Sequence, residues 1–161
     1  MNTLYFQHTT DRNNLIELVK KNEGFESRLY KCSKGKLTIG YGFNLDDCEI
    51  PKSVAESWLI ILLDNLYLNL STLIDFFDKL DGIRQNILID IAYNIGISGL
   101  LEFKKMLKYL EKKDYEKCAE EMKNSNWYNQ VPNRADILIK MMITGKYVND
   151  NLKYNNTTSF N

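Results

Sequence analysis

The sequence predicts an α+β fold in which a small β-hairpin lobe and a larger helical lobe are joined by a long helix. Two runs typical of short strands, residues 27–32 and 36–41, flank a turn at Ser33-Lys34-Gly35. From Pro51 onward, apolar residues recur every three or four positions in at least five segments, as they do in amphipathic helices. One hairpin beside five or more helices indicates the α+β class.

The helix that precedes the hairpin carries the first candidate functional residue. It is predicted to begin near Asn13 and to end where Gly24 stops it, so that Glu23 is its last side chain. Because the hairpin follows at once, we expect Glu23, Cys32 and Thr38 to converge on one crevice.

The helical part is predicted from caps and glycine stops as well as from periodicity. Pro51 begins a long helix whose apolar residues surround most of its circumference, so we expect it to be covered on nearly every side. Asp81 is predicted to cap a core helix that ends at Gly96. Further helices are predicted near 72–79, over 103–110 and 115–122, and from Pro132 to Gly145.

The length of 161 residues suits one compact domain that buries about 70% of its unfolded surface. We assign residues 13–152 to this domain, with a hairpin lobe at about 23–50 and a helical lobe at about 51–152 that also includes the helix at 13–22. Residues 153–161 form a polar tail and residues 1–12 an arm. The arm segment NTLYFQ is similar to the tobacco-etch-type protease site of purification tags, except at its first two positions.

Composition excludes several classes of function. Lys and Arg balance Asp and Glu at 21 each, so no general field attracts the protein to nucleic acid or to an anionic surface. No apolar run reaches the length of a membrane span and no signal pattern begins the chain, so we expect neither membrane insertion nor export. Cys32, Cys48 and Cys118 are odd in number and lack metal-ligand spacing, which indicates free thiols in a reducing compartment.

The single histidine, His8, lies in the arm, which limits the available chemistry. A Ser-His-Asp triad, a Cys-His pair and a histidine zinc site are all excluded from the folded body. Neither GxGxxG nor a P-loop sequence is present. If the protein is an enzyme, carboxylates must therefore transfer the protons, and we expect no metal or organic cofactor.

Glu23 is the first candidate for that role. At a helix C-terminus the macrodipole disfavours an ionised carboxylate by about 0.3–1 kcal/mol, and burial would have to add the rest for Glu23 to hold a proton. A protonated carboxyl is what a general acid needs. The alternative is a solvated carboxylate at a helix end, with no function.

A second group of candidates lies in the helical part. Asn94 places a polar side chain at the end of an apolar helix, and the segment WYNQVPNR places aromatic and amide side chains before a helix that begins at proline. Trp127 and Tyr128 fit a core position as well as a site. Arg134 falls in the first helical turn, where the dipole disfavours a cation, so we expect it to have a carboxylate partner.

The spacing of these residues resembles a known family. Glu23, eight residues, Cys32, five residues and Thr38 match the Glu-x8-Asp/Cys-x5-Thr signature of the T-even bacteriophage lysozyme (endolysin, or muramidase) family. The resemblance continues through TIGYG, KLDGIRQNILIDIAYNIG and WYNQVPNRA, and it covers about residues 13–152. It implies a lysozyme-like fold with a cleft between two lobes. It also implies hydrolysis of the β-1,4 bond between N-acetylmuramic acid and N-acetylglucosamine in bacterial peptidoglycan.

The resemblance also implies a role for each matching residue. Glu23 would donate a proton to the glycosidic oxygen, and Thr38 would orient a water on the opposite side of the sugar. Arg134 would approach Glu23. Tyr93 and Asn94 would line the sugar-binding cleft.

Departures from the family pattern leave part of the mechanism open. Cys32 stands where the best-known members carry Asp, and an ordinary thiol is mostly neutral at pH 7. A Cys32 thiolate could attack with retention, Thr38 alone could hold a water with inversion, or Cys32 could be a small apolar strand residue.

Other departures concern the small lobe and the charge. Phe43 replaces the histidine that usually follows TIGxG. The shorter segment before the long helix predicts a small lobe that lacks a helix, beside a more open cleft. Zero net charge predicts weaker long-range attraction to the anionic cell wall.

We therefore predict a monomeric cell-wall muramidase whose partner is bacterial peptidoglycan. Lacking an export signal, it would accumulate in the cytoplasm of an infected bacterium and reach the wall through a holin-type pore. The alternative is a catalytically weak peptidoglycan-binding or scaffolding module that keeps the fold. A third possibility is the same enzyme acting as a secreted antibacterial effector or as a lysozyme taken up by a bacterivorous host.

Overall fold

The computed structural model describes residues 10–148 and divides into two compact units, Met1–Ser57 and Trp58–Asn161. The division falls within the longest helix. The arm that contains His8 and the predicted tail at 153–161 lie outside the described residues.

Helix α1, Thr10–Glu23, begins the first unit and ends where the sequence predicts. Gly24 adopts φ +69° and its N–H donates to the carbonyl of Lys20 at 3.0 Å, which closes the last turn in a left-handed cap. The helix begins three residues before the predicted Asn13. Glu23 is its last residue, as predicted.

The predicted hairpin is confirmed within one residue at each end. Strands β1, Glu26–Lys31, and β2, Leu37–Gly40, pair in antiparallel register with Tyr30 opposite Thr38. A third strand, β3, Phe43–Asn44, pairs with β2 and gives the sheet order β1-β2-β3. Two residues are too few to show an alternating pattern, so β3 could not be predicted.

Residues 45–51, between the sheet and the next helix, contain no helix, which confirms that expectation for the small lobe. Side chains of this segment tie it to the sheet instead. Asn44 donates to Asp47 at 2.6 Å, and Lys36 forms an ion pair with the same carboxylate at 2.9 Å.

Helix α2, Lys52–Leu73, begins just after Pro51, whose carbonyl accepts the N–H groups of residues 54 and 55. The prediction that α2 is covered on nearly every side is wrong. Leu70 is its one buried side chain, and Leu63 and Leu66 pack partly buried against the core. These three positions form one stripe, and beside it the partly exposed ring of Tyr67 meets Phe77 edge-on at 5.3 Å. The exposed apolar side chains on α2 are Val54, Trp58, Leu59, Ile60, Ile61, Leu62, Tyr67, Leu68 and Leu73.

The second unit is helical and contains every buried apolar side chain among the described residues, from Leu70 to Met142. Helix α5 packs against α4 and α7, and α7 also packs against α3 and α6. A 3-10 helix, Phe77–Lys79, replaces the predicted helix near 72–79 because α2 extends to Leu73. The helices after α2 are α3, Gly82–Leu101; α4, Lys104–Glu111; α5, Tyr115–Lys123; α6, Asn126–Gln130; and α7, Pro132–Thr144.

Most of the predicted helix ends in this unit are confirmed. Asp81 caps α3 by accepting the N–H groups of residues 83 and 84, and Gly145 ends α7 at φ +63°. Gly96 breaks α3 at φ +78°, ψ +160°, but helical turns resume as far as Leu101. Helix α6 was not predicted, since its five residues are too short for a period.

Within residues 10–148, no single helix has both the length and the apolar character needed to cross a membrane. Helices α3 and α4 meet those criteria as a pair, with a bend of 100° between them. Seven side chains of α3 are buried inside the second unit.

Candidate active site

The carboxylate of Glu23 lies against Gly42, in the turn between β2 and β3. A Cβ atom placed on Gly42 would lie 2.6 Å from Glu23 Oε2, and Gly42 has φ +75°. Glycine therefore fits this position for two reasons, conformation and space. Glu23 as a whole is exposed.

Thr38 is buried on β2, with 3% of its surface exposed. Its hydroxyl donates to the carbonyl of Lys36 at 3.1 Å. Strand pairing on both sides, with Tyr30 and with Asn44, fixes the backbone that carries it. The hydroxyl oxygen therefore has a well-defined position.

Cys32 is half-buried where β1 enters the hairpin turn. The backbone N–H groups of Lys34 and then Lys36 hydrogen-bond its sulfur and lower the pKa of the thiol, although burial acts in the opposite direction. The hydroxyl of Thr38 and the charge of Lys34 lower the pKa further. Because the Thr38 hydroxyl has one hydrogen, it can donate either to the carbonyl of Lys36 or to a Cys32 thiolate.

The structure thus brings Cys32 and Thr38 into contact and sets the Glu23 carboxylate at the turn that follows the Thr38 strand. All three belong to the first unit. Sequence reasoning missed the role of Gly42, although the repeated glycine in TIGYG was a usable signal.

Arg134 has the carboxylate partner that its position in α7 predicts. Its Nε donates to Asp90 Oδ1 at 2.6 Å, and its Nη2 donates to the Asp90 carbonyl at 3.3 Å. Asp90 was not identified from the sequence, although it is an isolated acid in the apolar run ILIDIA. The expected approach of Arg134 to Glu23 joins the two units and stays a prediction.

Tyr93 and Arg134 lie on one groove of the second unit. The cavity has a volume of about 710 Å³ and combines the Asp90–Arg134 pair with an exposed Tyr93. Mostly apolar walls with a few polar groups are typical of ligand sites. The apolar residues of the groove include Leu59, Leu63, Ile89, Ile137, Leu138 and Met141.

Asn94 is not among the residues that line this groove. Its Oδ1 accepts a hydrogen bond from Trp127 Nε1 at 2.8 Å. Trp127 is a core residue with 3% of its surface exposed, and its ring meets Phe103 edge-on at 6.3 Å. Asn94 therefore satisfies a buried indole N–H, and its role in sugar binding stays a prediction.

Within residues 10–148, no cluster of three or more His, Cys, Asp or Glu side chains could hold a metal ion.

One small antiparallel sheet and a larger set of helices give the described residues a lysozyme-like α+β fold. Residues 20–140 match the model of the phage lysozyme family, and the chain belongs to that family of lysozyme-like glycosidases.

The relatives have two kinds of source. Probable T4-type lysozyme 2 of Dictyostelium discoideum is 31% identical, over 81% of this chain and 94% of its own. Probable T4-type lysozyme 1 of the same organism is 28% identical, over 80% of this chain and 93% of its own. The pre-baseplate central spike protein Gp5 of Enterobacteria phage T4 is 23% identical, over 81% of this chain but 28% of its own length.

Proposed function

We propose that this protein is an endolysin-type muramidase. It hydrolyses the β-1,4 bond between N-acetylmuramic acid and N-acetylglucosamine in peptidoglycan, with Glu23 as the general acid. Membership of a lysozyme family whose members act on peptidoglycan supports the substrate class.

The observation that carries the proposal is the contact between Glu23 and Gly42. It holds a carboxylic acid at the turn after β2, the strand that bears Thr38. A glycosidic oxygen leaves poorly until it is protonated, and the oxocarbenium-like state then needs a nucleophile or a water from the other side of the ring. Glu23 can supply the proton, and Thr38 or Cys32 can serve the second need.

Three roles stay open for Cys32: a nucleophile, a bystander to a water held by Thr38, or a small apolar strand residue. Because its thiol pKa is lowered, a thiolate can stand opposite Glu23 as the nucleophile, which gives retention of configuration. Otherwise Thr38 orients a water, which gives inversion. Cys32→Ala, Cys32→Ser and Cys32→Asp, compared by the anomeric form of the first product, separate these routes. A Cys32→Ala enzyme with near-full rate would assign the thiol no part in the reaction.

We also propose that the second unit binds the glycan through Tyr93, Asn94 and Arg134. The exposed ring of Tyr93 and the adjoining Asp90–Arg134 pair support this assignment. Tyr93→Ala should raise the substrate concentration needed for half-maximal rate more than it lowers the maximal rate, because it removes binding surface without removing the acid.

The decisive experiment compares wild type with Glu23→Gln on isolated Gram-negative cell walls and on permeabilised cells. Wild type should clear the suspension and release reducing sugar. Glu23→Gln keeps the size and polarity of the side chain but has no proton to donate, so it should clear at least about a hundredfold more slowly. Equal rates for the two proteins, or no clearing by wild type at any pH, would rule out the proposed mechanism.

A peptidoglycan-binding or scaffolding module with weak catalysis is the second candidate. Three observations favour it: the exposure of Glu23, the presence of Cys32 in place of an acid, and the zero net charge. Retention of the protein on insoluble walls without release of reducing sugar would support this module over the enzyme.

The proposed setting is the cytoplasm of an infected bacterium, where a monomeric enzyme waits for a holin-type pore. The chain has relatives in both a phage and Dictyostelium discoideum. These sources are compatible with this setting and equally with a secreted effector or a host lysozyme. Expression inside a bacterium should leave the cells intact until their membrane is permeabilised. Sedimentation should give the mass of one chain.

A further inference from the structure

Three aromatic residues lie in or next to the segment that contacts the Glu23 carboxylate, since Tyr41 and Phe43 flank Gly42 and Phe25 pairs with Tyr41. Phe25 and Phe43 are exposed over 64% and 57% of their surfaces, and Tyr41 is half-buried between them in the chain. The rings of Phe25 and Tyr41 form a pair with centroids 5.2 Å apart and planes inclined at 49°. We call these three rings the aromatic platform.

The platform is held by the same backbone that positions the acid. The ring of Phe43 lies over Gly40, with Cδ2 only 2.9 Å from the point where a Cβ on Gly40 would stand. Tyr41 and Phe43 are the two neighbours of Gly42, the residue that Glu23 contacts. The rings and the carboxylate therefore share one short turn, and all of them belong to the first unit.

Packing inside the first unit does not account for these rings. Among its described residues, no apolar side chain is buried, so the rings do not cover a core of that unit. An exposed apolar surface bordered by polar groups is typical of an interaction or ligand site. Here the Glu23 carboxylate lies against Gly42, the residue between two of the aromatic positions.

We propose that the aromatic platform stacks on the apolar face of one N-acetylated sugar of the glycan, next to the bond that Glu23 cleaves. This inference rests on the proposed function. A pyranose ring has an apolar C–H face and a polar hydroxyl rim, and the negative face of an aromatic ring attracts its C–H groups.

Other flat ligands fit less well. Nucleic acid bases also stack on aromatic rings, but single strands additionally need a basic groove along the backbone, and this chain has a net charge of zero. Phe43 makes the platform specific to this sequence, because the family resemblance places a histidine at that position. The platform thus predicts a sugar contact that depends on this chain's own residues.

The test uses the full-length chain with Glu23→Gln, so that the ligand is not hydrolysed. The probe is a soluble β-1,4-linked hexamer of N-acetylglucosamine, titrated by calorimetry. Phe43→Leu keeps an apolar side chain over Gly40 but lacks a ring face, so affinity should fall by about five- to tenfold. Phe43→Tyr keeps the ring and should bind within about twofold of the parent.

Two further measurements separate stacking from a general structural role. Leu29→Ala removes another exposed apolar side chain of the same unit, from β1, and should leave affinity unchanged. Saturation-transfer NMR should give strong transfer from aromatic protons to sugar C–H groups in the parent. This transfer should be weaker in Phe43→Leu and present in Phe43→Tyr.

The inference is overturned if Phe43→Leu binds as tightly as Phe43→Tyr, or if the Glu23→Gln parent does not bind the hexamer. It is also overturned if sedimentation shows that the rings join two copies of the chain and Phe43→Leu separates them. Wall clearing by wild type tests the proposed function separately. If wild type clears walls but binding of the hexamer does not depend on the rings, only the proposed role of the aromatic platform is wrong. If binding depends on the rings but wild type does not clear walls, only the proposed hydrolase activity is wrong.

Discussion

Two glycines with the same backbone conformation differ in what surrounds them. Gly35 and Gly42 both have φ +75°, a region that side chains rarely adopt. A Cβ on Gly35 would meet open space, whereas a Cβ on Gly42 would collide with the Glu23 carboxylate. Replacing each glycine by alanine therefore separates backbone strain from displacement of the acid.

Both alanine variants should lose about 1–2 kcal/mol of unfolding free energy through backbone strain. Only Gly42→Ala should also lose wall-clearing activity, by about a hundredfold, because it moves Glu23 away from its position. Denaturant unfolding and turbidity assays measure the two effects. If Gly42→Ala clears walls as fast as Gly35→Ala, the contact between Gly42 and Glu23 has no part in catalysis.

Two cysteines lie in opposite environments. Backbone N–H groups of Lys34 and Lys36 lower the pKa of the Cys32 thiol. Burial raises the pKa of the Cys118 thiol to about 12, and the nearby charge of Arg84 offsets only part of this rise. We therefore expect the Cys32 thiol to be the more reactive of the two.

We expect iodoacetamide to modify Cys32 at a lower pH than it modifies a model thiol such as N-acetylcysteine methylamide. Since only the thiolate reacts, the rate at Cys32 should reach its plateau below the pH at which the model compound does. Cys118 should react only after unfolding. Peptide mapping by mass spectrometry follows each site. A Cys32 profile that coincides with the model compound would contradict the assigned environment.

At the scale of elements, one buried arginine fastens the start of α3 to two other helices. Arg84, 7% exposed, pairs with Asp81 at 2.6 Å and donates to the carbonyl of Met142 in α7 at 2.8 Å. Its guanidinium carbon also lies 3.4 Å from the ring centroid of Tyr115 in α5. Asp81 thus serves both as the cap of α3 and as the counter-charge of Arg84.

Asp81→Ala should lower the unfolding free energy by about 3 kcal/mol, since it removes a cap and leaves a buried charge unpaired. Asp81→Asn keeps an oxygen for the cap and should lose less. Denaturant titration at neutral pH ranks the two variants. Equal losses would mean that the charge of Asp81 contributes nothing beyond the cap.

The same pair predicts the pH dependence of stability. Burial alone would raise the pKa of Asp81, but the hydrogen bonds and the charge of Arg84 together outweigh it and lower that pKa. A carboxyl with a lowered folded pKa stabilises the protein above its unfolded pKa of about 4 and loses this contribution as the pH falls further. Wild type should therefore lose more stability than Asp81→Asn as the pH falls below about 4. Thermal melts at a series of pH values measure this loss. If the melting temperatures of the two proteins fall equally as the pH is lowered, the prediction is wrong.

For the whole molecule, the two units differ in how much apolar surface they bury. Every buried apolar side chain of the described residues belongs to the second unit, where α5 packs against α4 and α7. The described part of the first unit is held by strand pairing, turns and polar contacts such as the Lys36–Asp47 pair. Local opening should therefore cost less free energy in the first unit.

Amide hydrogen exchange should be slow in α3, α5 and α7 and faster in α1 and the three strands. The difference should reach at least about 2 kcal/mol in opening free energy, because few apolar contacts oppose opening of the sheet. Mass spectrometry of peptides from both units measures it. Equal protection of amides in β2 and α5 would contradict the inference that the first unit, which lacks buried apolar side chains among its described residues, opens more easily.

Short-range signals in the sequence were enough to predict the local features: the glycine stops after α1 and α7, the hairpin, the Asp81 cap and the family signature from Glu23 to Thr38. Each depends on residues only a few positions apart, whose backbone preferences and hydrogen bonds act within one turn or strand pair.

Tertiary structure alone decided the distant partners. Arg134 meets Asp90 from 44 positions away, Trp127 meets Asn94 from 33, and Glu23 rests on Gly42. It also decided that α2 buries one stripe although its sequence is apolar on nearly every side. The sequence shows which side chains are able to be buried or to form ion pairs. Whether they do so depends on tertiary packing, because their partners lie far away in the sequence.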